Sequence, residues 1–118
     1  MKRILICEDE KDAQESLKNI LVKKDYEVYE ASDGKEAIDK TKEIKPDLIL
    51  LDIRMPKIDG LEVAEEIRKF DTDAKIIFIT GFQSSQIRQE ASKYDISDYI
   101  VKPTSGEDIV AAVEKTLS

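Results

Sequence analysis

Five short runs of strand-favouring residues, each followed by a segment of helical spacing, limit the possible folds of this chain more strongly than anything else in its sequence. The runs lie at residues 3–7, 26–31, 47–51, 75–79 and 97–101. After each run, apolar residues recur with a period near 3.6, which is typical of amphipathic helices. Regular alternation of strand and helix predicts a parallel sheet with helices on both faces. We therefore expect a doubly wound α/β fold with five parallel strands and five helices.

Four large apolar residues stand in succession at positions 48–51. Such a run indicates a strand covered on both faces, as the inner strands of a parallel sheet are. Pro46 precedes the run, and the turn-forming residues Pro56 and Gly60 follow it. Because the next helix begins near Gly60, Asp52 has no helix close enough to cap, and its position favours a functional role.

The composition favours a single globular domain over residues 1–118, with 41% hydrophobic and 38% charged residues. The apolar runs are too short to cross a bilayer and no signal peptide opens the chain, so we expect a cytoplasmic protein without a membrane segment. The net charge of −7 argues against direct binding to nucleic acid. The lack of histidine excludes histidine chemistry, and the single cysteine, Cys7, is expected to be a buried thiol.

Charged and hydroxyl side chains stand directly after four of the five predicted strands. Glu8 and Asp9 follow the first strand, Asp52 the third, Thr80 the fourth and Lys102 the fifth. In an open parallel sheet, ligand sites form outside the carboxyl ends of the strands. We therefore expect these five side chains to meet at one edge of the sheet.

The carboxylates at this edge predict a metal ion. Three acidic side chains a few ångströms apart repel one another unless a proton or a cation offsets their charge, and one lysine offsets only part of it. Mg²⁺ suits oxygen ligands and keeps positions for water and phosphate oxygens. These are the parts of a phosphoryl-transfer site, with Asp52 as the nucleophile and Thr80 and Lys102 stabilising the transferred group. The simpler alternative, acids that only favour the start of a helix, is what we expect of Glu10 and Asp12.

Four segments place these residues beside their strands: residues 4–10, residues 47–56 with the pair Asp59-Gly60, the pair Thr80-Gly81, and residues 98–103. Each segment alone is unspecific. In this order, over essentially the whole chain, they resemble response-regulator receiver domains of two-component signalling. The resemblance implies a flavodoxin-like sheet with the strand order 2-1-3-4-5.

The same resemblance implies a role for each polar residue at this edge. Asp52 would accept a phosphoryl group from a phosphohistidine on a partner protein. Asp9, Asp52 and the backbone carbonyl of Arg54 would bind Mg²⁺, and Glu8 would reach the ion through water. Lys102 would bind a phosphoryl oxygen, and its peptide bond to the next proline would be cis.

A switch between Thr80 and Tyr99 is also implied. Thr80 would move toward the phosphoryl group and Tyr99 would turn inward to fill the space; the alternative is that Tyr99 is a static, half-buried aromatic. A downstream effector would then contact the fourth helix, fifth strand and fifth helix, at residues 84–94, 97–101 and 107–117.

Several positions depart from the commonest pattern of the family. Glu8 stands where aspartate is more frequent, which leaves the outer geometry of the metal site open. Gly81 replaces a common alanine, which can leave the following loop more mobile, and Thr104 replaces a frequent aromatic. The last helix, at residues 106–117, lacks the arginines with which transcription-factor receivers often form dimers.

We expect a signalling protein rather than an enzyme. Its partners would be a histidine kinase or a histidine phosphotransfer protein, and a downstream effector. It would be a monomer or a phosphorylation-dependent dimer. Phe82 and Ile87 either are exposed for a partner or cover the sheet.

Three alternatives fit the sequence less well. A haloacid-dehalogenase-like phosphatase needs a second aspartate two residues after the first, where this chain has Arg54. A flavin-binding module needs a loop rich in serine, threonine and glycine after the first strand, where acidic residues stand. A receiver that acts only as an interaction module would not need Asp9, Asp52, Thr80 or Lys102.

Overall fold

The computed structural model of the protein describes residues 1–81 and 84–118. Five strands alternate with five helices in this part of the chain. In order they are β1 (Arg3–Cys7), α1 (Lys11–Val22), β2 (Glu27–Ala31), α2 (Gly34–Ile44), β3 (Leu48–Leu51), α3 (Gly60–Arg68), β4 (Lys75–Thr80), α4 (Ser85–Ser92), β5 (Asp98–Val101) and α5 (Gly106–Leu117). The predicted alternation is confirmed.

The strands form one parallel sheet with the order β2-β1-β3-β4-β5. Cys7 pairs with Leu51, Leu51 with Phe78, and Thr80 with Val101. This register brings the carboxyl ends of the inner strands to a common edge. The expected doubly wound topology and its strand order are both confirmed.

Two hydrophobic clusters cover the two faces of the sheet, because successive residues of a strand point to opposite faces. Leu5 and Cys7 pack in one cluster, which includes residues of α2, α3 and α4. Ile4 and Ile6 pack in the other, with residues of α1 and α5. All residues of β3 are buried, as expected for a strand covered on both sides.

Side-chain caps fix the start of four helices. Asp33, Asp59, Ser84 and Ser105 each accept a hydrogen bond from the backbone N–H three residues further on. Glu10, which precedes α1, makes no such bond. The cap at Asp59 starts α3 immediately after the loop that carries the end of β3.

The helical spacing of apolar residues predicts that Phe70 belongs to the third helix and Tyr94 to the fourth, but both lie beyond the ends of these helices. Phe70 follows α3 and is 44% exposed, and Tyr94 follows α4. The guanidinium of Arg68 donates to the backbone oxygens of Asp71, Tyr94 and Asp95, at 3.0, 2.7 and 3.1 Å. These tertiary bonds turn the chain after α3, which the helical period of the sequence does not reveal.

Two apolar residues, Ile87 and Phe82, were candidates for contact with a partner. Ile87 is partly buried and packs against the hydrophobic core. Phe82 lies outside the described residues. Among the helices that the structure describes, none has the length and apolar character needed to cross a bilayer.

Candidate functional site

The ends of β1, β3, β4 and β5 surround a cavity of about 390 Å³. It is lined by Asp9, Asp52, Arg54, Thr80, Gly81 and Lys102. Backbone hydrogen bonds hold the strand ends together: the N–H of Asp52 donates to Cys7, and that of Lys102 donates to Thr80, at 3.1 and 2.8 Å. Five of the six residues that we expected around the phosphoryl group and the metal ion thus line one cavity, and the sixth, Glu8, contacts Lys102 beside it.

Asp52 lies at the centre of this arrangement. It is only 7% exposed, and both of its carboxylate oxygens accept hydrogen bonds. The backbone N–H of Arg54 donates to Oδ1 at 3.1 Å, and the ammonium of Lys102 donates to Oδ2 at 2.9 Å. These two contacts hold the carboxylate of Asp52 in one orientation at the cavity.

Lys102 joins Asp52 to a second carboxylate. Its ammonium also donates to Oε1 of Glu8 at 2.6 Å. Partial burial lowers the pKa of Lys102, but the hydrogen bonds and charges of Glu8 and Asp52 outweigh burial, so the pKa is raised above its ordinary value. The peptide bond between Lys102 and Pro103 is cis, as expected.

Glu8 is more buried than the other acids of the site, with 4% of its surface exposed. Burial raises the pKa of its carboxyl above the ordinary value, the hydrogen bond from Lys102 opposes this change, and the charge of Asp52 adds to it. In the described part of the chain, Glu8 is the one expected site residue near the phosphoryl group that does not line the 390 Å³ cavity.

Two carboxylates in this cavity suit a metal ion. Among the residues that the structure describes, no group of three or more acidic or cysteine side chains is arranged to hold a metal. Mg²⁺, however, is commonly bound by one or two carboxylates, with waters and phosphate oxygens as its other ligands. Asp9, which is exposed, and Asp52 line the cavity together with Arg54. This oxygen-rich donor set therefore fits Mg²⁺.

Tyr99 is already buried, with 8% of its surface exposed. Its ring centroid lies 6.1 Å from that of Phe78, and the guanidinium of Arg88 lies 4.8 Å from the ring centre. Burial raises the pKa of Tyr99, the charge of Arg88 opposes this, and the charge of Asp52 adds to it. Tyr99 is therefore a buried aromatic residue in this structure, and Thr80, which is fully buried, lines the cavity.

Two supporting residues were missed in the sequence. Gln14 is buried, and its amide donates to the backbone oxygen of Glu8 at 2.9 Å and to that of Ala31 at 3.3 Å. Its position three residues before Leu17 places a polar group on the apolar side of α1, which could have revealed it. The guanidinium of Arg88 donates to the backbone oxygen of Tyr99 at 3.1 Å, and no pattern in the sequence indicates this contact.

These features define a class of protein: a flavodoxin-like α/β domain whose site centres on a buried aspartate at the end of the third strand. The sequence matches the response regulator receiver domain over residues 4–114, and the chain belongs to this family. The predicted resemblance is therefore confirmed, and the dehalogenase-like and flavin-binding alternatives are set aside.

Individual relatives agree with this assignment. The chain is 41% identical over 115 residues to the chemotaxis protein CheY of Thermotoga maritima, covering 97% of this chain and 96% of the relative. It is 43% identical to the response regulator TrrA of Thermotoga maritima, solved in complex with Mg²⁺-BeF, with a TM-score of 0.86 and 98% of both chains covered. A CheY-like receiver domain protein from Methanospirillum hungatei shares 31% identity and a TM-score of 0.96, covering 99% of this chain and 94% of that one.

Membership of the family establishes the general role of the domain. It is a receiver of two-component signalling, and receivers act mainly as switches rather than as enzymes. Receiver domains bind Mg²⁺ and interact with histidine kinases.

Proposed function

We propose that this receiver accepts a phosphoryl group on Asp52 in the presence of Mg²⁺ and changes conformation through Thr80 and Tyr99. The observation that carries the proposal is the position of Asp52, which is buried beneath a polar cavity with the ammonium of Lys102 at 2.9 Å. A carboxylate in this setting has a nucleophilic oxygen and a cation ready for the charge of an incoming phosphoryl group.

The reaction needs a donor from outside the chain, because the chain contains no histidine. A carboxylate oxygen of Asp52 attacks the phosphorus of a phosphohistidine on a histidine kinase or a histidine phosphotransfer protein. The phosphorus–nitrogen bond breaks, and its electron pair returns to the imidazole nitrogen, which then takes up a proton. The products are an aspartyl phosphate and a neutral histidine.

The residues around Asp52 have separate roles in the proposed reaction. Asp9, Asp52 and the carbonyl of Arg54 would hold Mg²⁺, which when bound offsets negative charge on the phosphoryl oxygens. The ammonium of Lys102, which donates to the Asp52 carboxylate before phosphorylation, would then donate to a phosphoryl oxygen. The hydroxyl of Thr80 donates to another phosphoryl oxygen.

The readout follows from these new contacts. An aspartyl phosphate adds charge and acceptor oxygens, and these can favour one conformation only through contacts that differ between the two states. Movement of Thr80 at the end of β4 is transmitted to Tyr99 on β5 and to Arg88 on α4, which covers the tyrosine ring. We propose that the face formed by α4, β5 and α5 binds the downstream effector.

The wider biology is proposed on the same basis. Residues 1–118 work as a single receiver domain in the cytoplasm, without direct contact with nucleic acid or a membrane. The domain is a monomer or a dimer that depends on phosphorylation. Its acidic charge of −7 and the lack of arginine in α5 support this picture.

The test is incubation with acetyl phosphate and MgCl₂, followed by measurement of the intact mass. The wild type should gain the mass of one phosphoryl group, and Asp52→Asn should gain nothing because an amide is a poor nucleophile. Asp73→Asn, an exposed aspartate before β4, is the matched control and should behave as the wild type. An unchanged wild-type mass would instead favour a receiver that acts only as an interaction module.

A further inference from the structure

We propose that α4 opens as a unit separate from the rest of the fold, and that Arg88 holds it closed on β5. The opening itself does not depend on phosphorylation. Its consequence for a partner rests on the function proposed above, because α4 is one of the three elements of the proposed effector face.

The packing of α4 is sparse. Of its eight residues, Ala91 is the one that is buried, whereas α3 buries four residues and α5 three. Ile87 is partly buried and packs against the core, and the other six residues of α4 are exposed. Because a short helix is held in place mainly by its buried apolar face, α4 is held less firmly than α3 or α5. A segment with so few buried contacts is expected to open before the core does.

The chain just after α4 is bound to α3 through Arg68. The guanidinium of Arg68 donates to the backbone oxygens of Tyr94 and Asp95, at 2.7 and 3.1 Å. The hydroxyl of Tyr94 also donates to Glu65 of α3, at 3.2 Å. Since these contacts lie beyond the last residue of α4, they can stay formed while the helix itself leaves the sheet.

Arg88 makes two contacts between α4 and β5, both with Tyr99. Its guanidinium lies 4.8 Å from the centre of the tyrosine ring and donates to the tyrosine backbone oxygen at 3.1 Å. Both contacts are attractive, and both are lost when α4 leaves β5. Arg88 itself is exposed, so water can solvate its guanidinium in the open state. The contacts with Tyr99 therefore hold α4 closed in a reversible way.

Opening of α4 uncovers Tyr99, which is 8% exposed in the closed arrangement. The open state lacks one of the three elements of the proposed effector face, so an effector that contacts all three binds only the closed state. Its apparent affinity then falls in proportion to the closed fraction. Arg88 thus sets the fraction of the receiver that is competent to bind an effector, whether or not Asp52 is phosphorylated.

Hydrogen exchange of the unphosphorylated full chain, measured by NMR, tests whether α4 opens separately. Protection factors of the α4 amides at residues 88–92 should be at least about 100-fold lower than those of β3. Leu21→Ala, in the hydrophobic cluster on the opposite face of the sheet from α4, lowers global stability. It should reduce the protection of β3 more than about tenfold and that of α4 less than about twofold. An equal loss in β3 and α4 would show that α4 opens only when the whole protein unfolds, and would overturn the proposal.

Arg88→Gln tests the role of Arg88 in the same experiment. Arginine and glutamine have similar helix propensities, so a change in α4 exchange reports the lost contacts with Tyr99. The protection of α4 should fall about tenfold. Gln89→Lys, an exposed change on the same helix, is the control and should alter the protection less than about twofold.

A double-mutant cycle tests whether Arg88 acts through the ring of Tyr99. In a Tyr99→Leu background, Arg88→Gln should lower the protection of α4 at most about threefold, because the ring contact is already absent. Unchanged α4 protection in Arg88→Gln alone, or the full tenfold loss in the Tyr99→Leu background, would contradict the role given to Arg88. Failure of Asp52 to become phosphorylated would leave these results unchanged and would overturn only the function proposed above.

Discussion

The buried polar residues of this receiver are concentrated at the end of β1 and around it. Glu8, Gln14 and Asp52 are all nearly inaccessible, and each has hydrogen-bond partners. No buried side-chain nitrogen or oxygen in the described part of the chain lacks a partner. Because an unpaired polar group in this environment costs free energy, these hydrogen bonds stabilise the arrangement of the site that the structure shows.

Burial of Cys7, the last residue of β1, makes the stability of the folded protein depend on pH. Burial raises the pKa of its thiol far above the ordinary value of 9.0, with the charge of Glu36 adding to the effect and that of Lys40 opposing it. The unfolded chain ionises this thiol above about pH 9, while the folded protein keeps it neutral. The stabilisation is therefore complete below that pH and is lost as the pH rises, by about 1.4 kcal/mol between about pH 8 and pH 10.

Urea unfolding at both pH values checks this prediction against Cys7→Ala. The alanine variant has no thiol, so its free energy of unfolding should fall less than that of the wild type by the amount given above. The comparison removes contributions from tyrosines and lysines, which titrate in both proteins. Parallel losses in the two proteins would show that Cys7 is not held as a neutral thiol.

Among the secondary-structure elements, β3 and α3 are closely packed where they meet beside the site. The N–H of Gly60, the first residue of α3, donates to the backbone oxygen of Ile53 at 2.8 Å. A Cβ atom at Gly60 would lie 2.2 Å from the backbone oxygen of Asp52. The first residue of α3 thus packs against the backbone of Asp52, the residue proposed to be phosphorylated.

Gly60→Ala should therefore destabilise the protein by about 2 kcal/mol, because backbone atoms must move apart to accept the methyl group. Gly81→Ala is the matched control, since a Cβ atom there meets nothing within 4 Å and no glycine in the described chain has a positive φ. Its effect on the urea-unfolding free energy should stay within about 0.5 kcal/mol. Equal losses for the two variants would refute the argument from close packing.

The elements also show what the sequence could and could not predict. The strands were located to within one residue at each end, because a parallel sheet buried on both faces leaves continuous apolar runs such as that of β3. The ends of α3 and α4 were misjudged, since Arg68 turns the chain through contacts with residues far away in sequence.

Prediction of the site has the same limit. Carboxylate and lysine positions at strand ends were sufficient to predict that Asp9, Asp52, Thr80 and Lys102 line one cavity. The direction of the Glu8 side chain depends on a contact between residues 94 positions apart in sequence, and no local pattern encodes it. The packing of Arg88 against Tyr99 likewise requires the folded sheet.

For the whole molecule, the main question is how a change at Thr80 reaches the face formed by α4, β5 and α5. Tyr99 is buried before phosphorylation and is covered by Arg88. In the proposed function, a phosphoryl group on Asp52 would favour one conformation through contacts at Thr80 that the unphosphorylated protein lacks. Phosphorylation would then shift the populations of two conformations.

Thr80→Ala should separate phosphorylation from this response. The variant should still gain a phosphoryl group, because Asp52 and Lys102 are intact, but the NMR shift changes in α4 and β5 should fall to less than about half of the wild-type values. Thr41→Ala removes a buried hydroxyl from α2, away from the site, and should leave the response unchanged. A full response in Thr80→Ala would contradict coupling through the hydroxyl.

Identification of the phosphorylated residue tests most directly whether Asp52 is the nucleophile. Borohydride reduces an aspartyl phosphate to homoserine, and tandem mass spectrometry then locates the change within the tryptic peptide of residues 43–54. That peptide contains Asp47 as an internal control, at the opposite end of β3 from Asp52. After treatment with acetyl phosphate and Mg²⁺, we predict homoserine at position 52 alone; homoserine at position 47 or at Asp9, with position 52 unchanged, would contradict the proposed function.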